Sequence, residues 1–367
     1  MRPSIYLDHA ATTAPDPAVI RAVCACMEQY DANPSAAYSA AGKARRELRL
    51  ARETLSQLLG CDRTEIVFTS GGTEANNLAL RQAAGGHVVL SAMEHKSVLE
   101  AATAQGCQVT LVPSDASGRV DPGRVQEAIR RDTALVSVQF ANNETGVLQP
   151  IAEIGAIARR HQVLFHTDAV QAFGHTPVCV ADAQVDMLSV SGHKLYGPLG
   201  VGVLYIRQGV MARPLVAGGG QEGGLRAGTE NVPAIAGLRV AAELAQGDMA
   251  ERDARLRQLM DGFLEQLRHR CPDSSVVAEG SDRLPGIVAL RLPGVASEVA
   301  IAKLDSAGIR VSGGAACGVA GSGPSHVLTA MGVSAEQANE VIRVSLGRHT
   351  TEEEMQGAVA AICALQG

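Results

Sequence analysis

Between residues 65 and 206 the chain repeats one pattern, a short apolar run followed by a segment with helical spacing. The apolar runs occupy residues 65–69, 87–92, 108–112, 134–140, 163–166, 187–190 and 201–206. Helical segments at 73–83, 97–104, 122–131 and 151–161 lie between the first six. Strands this short and this uniformly apolar are buried on both faces. That predicts an α/β architecture, a mostly parallel sheet with helices above and below it. The last connection is short and Gly-rich, so one strand is expected to run antiparallel. A helical pattern after Asp16-Pro17 and a long helix closing at Gly60 precede the sheet. After about residue 245 the character changes. A charged amphipathic helix over 250–270 leads into strands at 275–278, 286–292, 309–312 and 341–346, with helices at 297–307 and from 351. This predicts a second, smaller α+β lobe.

Charge and composition remove several classes of function. The net charge is −6 with no basic block, which makes nucleic acid a poor partner. No apolar run reaches the length of a membrane span, and the first residues lack the apolar stretch of a secretion signal. A cytoplasmic protein is expected. Eight cysteines are scattered without C-x-x-C pairs or zinc spacing, so no metal site is predicted and the thiols are expected to be reduced. Lysine is scarce: Lys43, Lys96, Lys194 and Lys303 are the whole set.

Three constellations carry chemistry. Thr69-Ser70-Gly71-Gly72-Thr73-Glu74 joins a strand end to a helix start, where backbone N–H groups and a small hydroxyl can hold an anion. It has neither the Gly-Lys-Ser/Thr of a P-loop nor a dinucleotide fingerprint. His166-Thr167-Asp168 ends an apolar strand in a carboxylate, and strand C-termini of open α/β sheets face the ligand crevice. Ser191-Gly192-His193-Lys194 leaves a strand into a Gly/Pro-rich turn. Lys43 sits among arginines, Lys303 lies in a helix near Asp305, and Lys96 lacks suitable hydroxyls. Lys194 is therefore the lysine best placed to form a Schiff base. A phosphate cup, a carboxylate for a ring nitrogen and a reactive lysine together describe a pyridoxal 5'-phosphate site.

At these residues the chain resembles the cysteine desulfurases of the class V aminotransferase superfamily. Tyr6–Thr13, the Thr69–Glu74 turn, Glu94–Val98, Asn142–Gly146, the Asp168 and Lys194 segments and Arg226–Thr229 carry the likeness, which runs from about residue 5 to 355. It implies the pyridoxal-phosphate-dependent transferase fold, aspartate aminotransferase-like. Residues 14–248 would form the large cofactor-binding domain, and residues 1–13 with 249–367 the small one. Lys194 would carry the cofactor and move the Cα proton. His95 would stack on the cofactor ring and assist proton transfer. Asp168 would pair with the ring nitrogen, with Gln171 and Asn143 near the phenolic oxygen. Gly72, Thr73, Ser191 and His193 would hold the phosphate, joined by Thr229 from a second subunit of a homodimer. Asn33 and Arg343 would hold the substrate carboxylate, a task suited to a guanidinium fork.

Cys317 decides the reaction. It lies in a segment with five glycines between Gly313 and Gly323, unlike a core cysteine on an apolar face. The resemblance implies that sulfur leaves L-cysteine for Cys317 as a persulfide, that L-alanine is released, and that the sulfur passes to a thiol acceptor. An iron–sulfur scaffold protein is the usual acceptor in the family. Two departures bear on the loop and its acceptor. Gly313-Gly314-Ala315-Ala316 replaces a serine-rich run before the cysteine, and Gly323 replaces a common glutamate. Competing readings are a selenocysteine lyase or other class V lyase or aminotransferase, and a silent cofactor-binding sulfur-relay subunit.

Overall fold

The computed structural model describes residues 5–313 and 323–366. The seven apolar runs form one sheet. Its spatial order is Ile66–Thr69, Gly202–Ile206, Met187–Ser191, Leu164–Asp168, Thr133–Ser137, His87–Ser91, Gln108–Val112. Gly202–Ile206 runs antiparallel to both its neighbours, and the other pairings are parallel. The expected single reversed strand is thus the one reached by the short Gly-rich turn. Every residue of the His87–Ser91, Met187–Ser191 and Gly202–Ile206 strands is buried, as strands covered on both faces must be, whereas Gln108–Val112 at the sheet edge is mostly exposed, against the expectation of burial on both faces.

Helix Gly72–Leu80 packs across the strands Met187–Ser191 and Gly202–Ile206, with helix Lys96–Ala104 beside it. Helices Pro17–Gln29 and Ala41–Leu59 pack on helix Val232–Gly247. Their ends follow local chemistry. Asp16 accepts from the Ala18 N–H at 2.8 Å ahead of Pro17, and Gly60 closes the second helix in the left-handed region at φ 71°. Gly202 is required by close approach: a Cβ there would lie 2.6 Å from the Val190 carbonyl oxygen and 2.7 Å from the Gly71 Cα.

The second sheet is antiparallel, in the order Ser312–Gly313, Val341–Ser345, Ile287–Arg291, Ser275–Val276. Helices Met249–Arg270 and Glu352–Gln366 pack together beside it around a core of Leu7, Phe263, Leu290, Ile342, Val344 and Ile362. The sequence reading of one strand over 309–312 divides in two. Ile309–Arg310 pairs in parallel with Ile5–Tyr6, whereas Ser312–Gly313 pairs with Val341–Ser345. The N-terminal strand pulls the first half away. It also buries Leu7 completely, a contribution of about 1.5–3 kcal/mol. The helix expected over 122–131 spans Pro122–Ala128, because Ile129 turns to extended backbone. No helix among the described residues is long and apolar enough to cross a membrane.

The expectation of uniformly reduced thiols fails at one pair. Cys271 and Cys363 form a disulfide, with Cα atoms 5.6 Å apart and 92 residues between them in sequence. Cys271 caps the C-terminus of helix Met249–Arg270, and Cys363 lies on the packed terminal helix. Helix pairing therefore supplies the proximity that spacing along the chain does not reveal.

Candidate active site

The C-terminal ends of the central parallel strands open on a cavity of about 400 Å³. Gly72, Thr73, His95, Asn143, Asp168, Gln171, Ser191, His193, Lys194 and Arg343 all line it. Segments from across the chain converge here because successive parallel strands deliver their ends to one edge. Asn33 and Thr229 do not line it. Asn33 is exposed and accepts from the Ser35 N–H at 2.9 Å, and Thr229 is exposed on its own chain. Cys317 lies outside the described residues.

Lys194 leaves the Met187–Ser191 strand through a single 3-10 turn. Its Nζ donates to the Ala10 and Ala11 carbonyls at 2.5 and 2.8 Å. Lys43, Lys96 and Lys303 are exposed, so Lys194 alone among the lysines enters the cavity. The His175 Nε2 donates to the Lys194 carbonyl at 2.9 Å, and Thr13 donates to the His193 carbonyl from its hydroxyl at 2.8 Å and its N–H at 3.0 Å. The turn carrying the amine is thereby held from two sides. Burial, then the Lys194 charge, pushes the His193 imidazole down to about 4, so that ring is neutral near pH 7.

Asp168 is the last residue of its strand, and both carboxylate oxygens accept hydrogen bonds. Oδ1 takes the Val170 N–H at 2.9 Å and Oδ2 the Asn76 amide at 2.7 Å. His166, on the same face two residues earlier, is a satisfied core histidine between Ser137 and Ser189 hydroxyls, and burial lowers it to about 4. The Gly72–Leu80 helix points its N-terminus at the cavity. Gly72 is needed there, since a Cβ would lie 2.8 Å from the Val170 Cγ2. Glu74 braces the turn by accepting from the Ser70 N–H at 2.8 Å and the Arg226 Nε at 2.9 Å. Burial pushes the Glu74 carboxyl up, but these donors outweigh it and hold it below the usual range. The Arg226–Thr229 motif is in this way tied to the Thr69–Glu74 turn.

His95 caps the Lys96–Ala104 helix, its Nδ1 accepting from the Ser97 N–H at 3.1 Å. Arg343 is 1% exposed. It donates to the Asn143 carbonyl at 2.8 Å, the Asp8 carboxylate at 2.7 Å and the Ser312 hydroxyl at 3.0 Å. Its Nε is buried and has no hydrogen-bond partner among the described residues. Sequence reasoning missed Asn76, Ser97 and Gln139 as lining residues, and the Ala10 and Ala11 carbonyls as the resting place of the amine. Asn76 lies one helical turn beyond Gly72 and Thr73, a spacing that could have flagged it.

The arrangement brings together a helix N-terminus, a buried carboxylate, a lysine amine and a buried guanidinium. Comparison with known proteins agrees with this chemistry. The cysteine desulfurase IscS of Dictyoglomus turgidum is 41% identical over 364 residues, 97% of this chain and 92% of that protein. A NifS-like protein from Rickettsia africae superposes with a TM-score of 0.91 at 33% identity, covering 99% of each chain. A structure described as SspA in complex with cysteine matches with a TM-score of 0.81 at 35% identity, covering 95% of this chain and 100% of that one. The family model for class-V aminotransferases matches residues 5–357. On the strength of that match and of the site it encloses, this chain belongs to the class-V aminotransferase family.

Proposed function

We propose that the protein is a pyridoxal-phosphate-dependent cysteine desulfurase. The observation that carries this reading is the meeting of Lys194, Asp168, His95 and Arg343 around one cavity at the helix N-terminus of Gly72–Leu80. The residues fit the cofactor. The helix N-terminus with Thr73, Ser191 and His193 suits its phosphate, Asp168 suits its ring nitrogen, and the lysine amine suits its aldehyde. When bound, the group supplies an electron sink for the substrate Cα. The cysteine-bound neighbour supports L-cysteine as substrate.

In this reading Lys194 would hold the cofactor and move the Cα proton. Asp168 would pair with the ring nitrogen, and Gln171 and Asn143 would lie near the phenolic oxygen. The buried Arg343 would receive the substrate carboxylate, whereas Asn33 lies outside the cavity lining, and His95 would stack on the cofactor ring and assist proton transfer. The Cys317 thiolate attacks the substrate sulfur. The carbon–sulfur bond breaks with its electron pair left on carbon, and a proton delivered there gives L-alanine. The persulfide on Cys317 then passes its outer sulfur to a thiol acceptor such as an iron–sulfur scaffold protein. The described flanks of that cysteine are anchored at the site. Ser312 meets Arg343, and the His326 Nε2 donates to the Glu94 carbonyl, next to His95, at 2.9 Å. A homodimer would bring Thr229 to the partner's phosphate site. Residues 14–248 would act as the cofactor domain, and 1–13 with 249–367 as the domain carrying the cysteine segment.

The test is to incubate wild type, Cys317→Ala and Lys194→Ala with L-cysteine and a reductant, and to measure sulfide and alanine. The expected result is cofactor absorbance with little sulfide in the first variant, and loss of that absorbance in the second. Undiminished sulfide from Cys317→Ala would move the assignment to a lyase that does not need this thiol.

A further inference from the structure

A chain of hydrogen bonds joins the two ends of the cavity. The Asn76 side-chain amide, 1% exposed, donates to the Asp168 Oδ2 at 2.7 Å and to the Ser97 Oγ at 2.8 Å. The Ser97 Oγ lies 2.7 Å from the His95 Nδ1, and the Ser97 backbone N–H donates to the same nitrogen at 3.1 Å. All four residues line the cavity.

The direction of each bond follows from the one before. Both Asp168 oxygens act as acceptors, so the group beside Oδ2 must be the Asn76 NH₂. Flipping the amide would set its oxygen against a carboxylate oxygen. The Asn76 Oδ1 accordingly has no partner among the described residues. The NH₂ spends one hydrogen on Asp168 and the other on Ser97, which makes the Ser97 Oγ an acceptor there. The hydroxyl proton of Ser97 is left to point at the His95 Nδ1. With two donors on Nδ1, the single proton of a neutral ring sits on Nε2.

We propose that Asn76 and Ser97 are positioning residues that carry the charge state of Asp168 to His95, locking His95 as the Nε2–H tautomer. The inference deepens the desulfurase reading and rests on it. A neutral imidazole with its proton on Nε2 offers the cavity a hydrogen-bond donor and no lone pair. His95 therefore works as a donor that orients the substrate or the cofactor's polar atoms. The abstraction of the Cα proton falls to the Lys194 amine. The relay also ties the residue that pairs with the ring nitrogen to the residue over the ring, so a loss at either end is felt at the other.

Selective ¹⁵N labelling of histidine in the cofactor-loaded protein tests this, with His95 assigned by the signal lost in His95→Gln. Wild type is expected to show Nε2 protonated and Nδ1 as a hydrogen-bonded acceptor. Asn76→Ala, Asn76→Ser and Ser97→Ala are each expected to move the Nδ1 signal toward an unbonded value, and Ser97→Thr to retain the wild-type position. Asn76→Ser, smaller but still polar, keeps the test open if the alanine variant does not fold. In steady-state kinetics Asn76→Ala should lower kcat roughly tenfold with KM little changed, the rate equivalent of one lost hydrogen bond. His95→Gln, which retains an amide donor, should keep at least about tenfold more activity than His95→Ala, because a donor can be replaced by an amide and a general base cannot. A wild-type His95 protonated on Nδ1, an Nδ1 signal indifferent to both Asn76 variants, or equal activity in His95→Gln and His95→Ala would overturn the proposal. Absence of sulfide from wild type would instead strike the desulfurase reading, and the histidine signals would still report on the relay.

Discussion

Arg343 is the side chain whose surroundings say most about its task. A guanidinium that is 1% exposed is costly to bury, and Asp8 balances its charge at 2.7 Å. Its place on the cavity wall is what the proposed role in holding the substrate carboxylate rests on. Arg343→Lys is expected to raise KM for L-cysteine by roughly ten- to a hundredfold, the scale of one or two hydrogen bonds to a charged group. The KM of the lysine variant in a sulfide-release assay checks this, and an unchanged KM would remove Arg343 from substrate binding. Lys194 presents the complementary case. Its amine donates to two backbone carbonyls, those of Ala10 and Ala11.

Among the elements, the turn between strand Ile66–Thr69 and helix Gly72–Leu80 depends on the strand beside it. Because a Cβ on Gly202 would meet backbone on two sides, Gly202→Ala cannot be relieved by a side-chain rotation. It is expected to destabilise the protein by about 1–3 kcal/mol in urea unfolding and to weaken cofactor binding by displacing Gly71 and Gly72. A variant as stable as wild type would contradict this packing argument. The sheet itself was legible in the sequence, since uniformly apolar runs such as 87–92 and 187–190 announce burial on both faces. So were the places of Asp168 and Lys194 on the cavity wall, since one ends an apolar strand and the other follows one by a single turn. What was not legible depends on long-range pairing. Ile5–Tyr6 finds Ile309–Arg310 across the whole chain, the amine finds the Ala10 carbonyl, and Cys271 finds Cys363. Backbone acceptors and partners this distant leave no periodicity to read. Asn76 and Ser97 were passed over for a different reason: each is an ordinary polar residue in a helix until the fold turns both toward Asp168 and His95.

At the scale of the molecule, two devices govern stability. Burial holds the His9, His166 and His175 imidazoles down at about 4, in each case as the largest cause. The unfolded chain binds protons at these positions near pH 6.5 and the folded one only near 4, so stability is full above about pH 6.5 and declines as pH falls toward 4. Melting temperature should drop across that window, and His175→Gln should flatten the dependence. A pH-independent melt between 4 and 6.5 would refute the assignment. The Cys271–Cys363 disulfide closes a 92-residue separation between two helices of the second lobe. Cys363→Ser is expected to cost about 2–4 kcal/mol in oxidised protein and nothing once a reductant is present, as chemical denaturation under the two conditions would show. Above both stands the chemistry of one amine. Reduction of the cofactor-loaded protein with borohydride, followed by peptide mapping, should place a single pyridoxyl group on Lys194. A label on Lys43, Lys96 or Lys303, or none at all, would contradict the account.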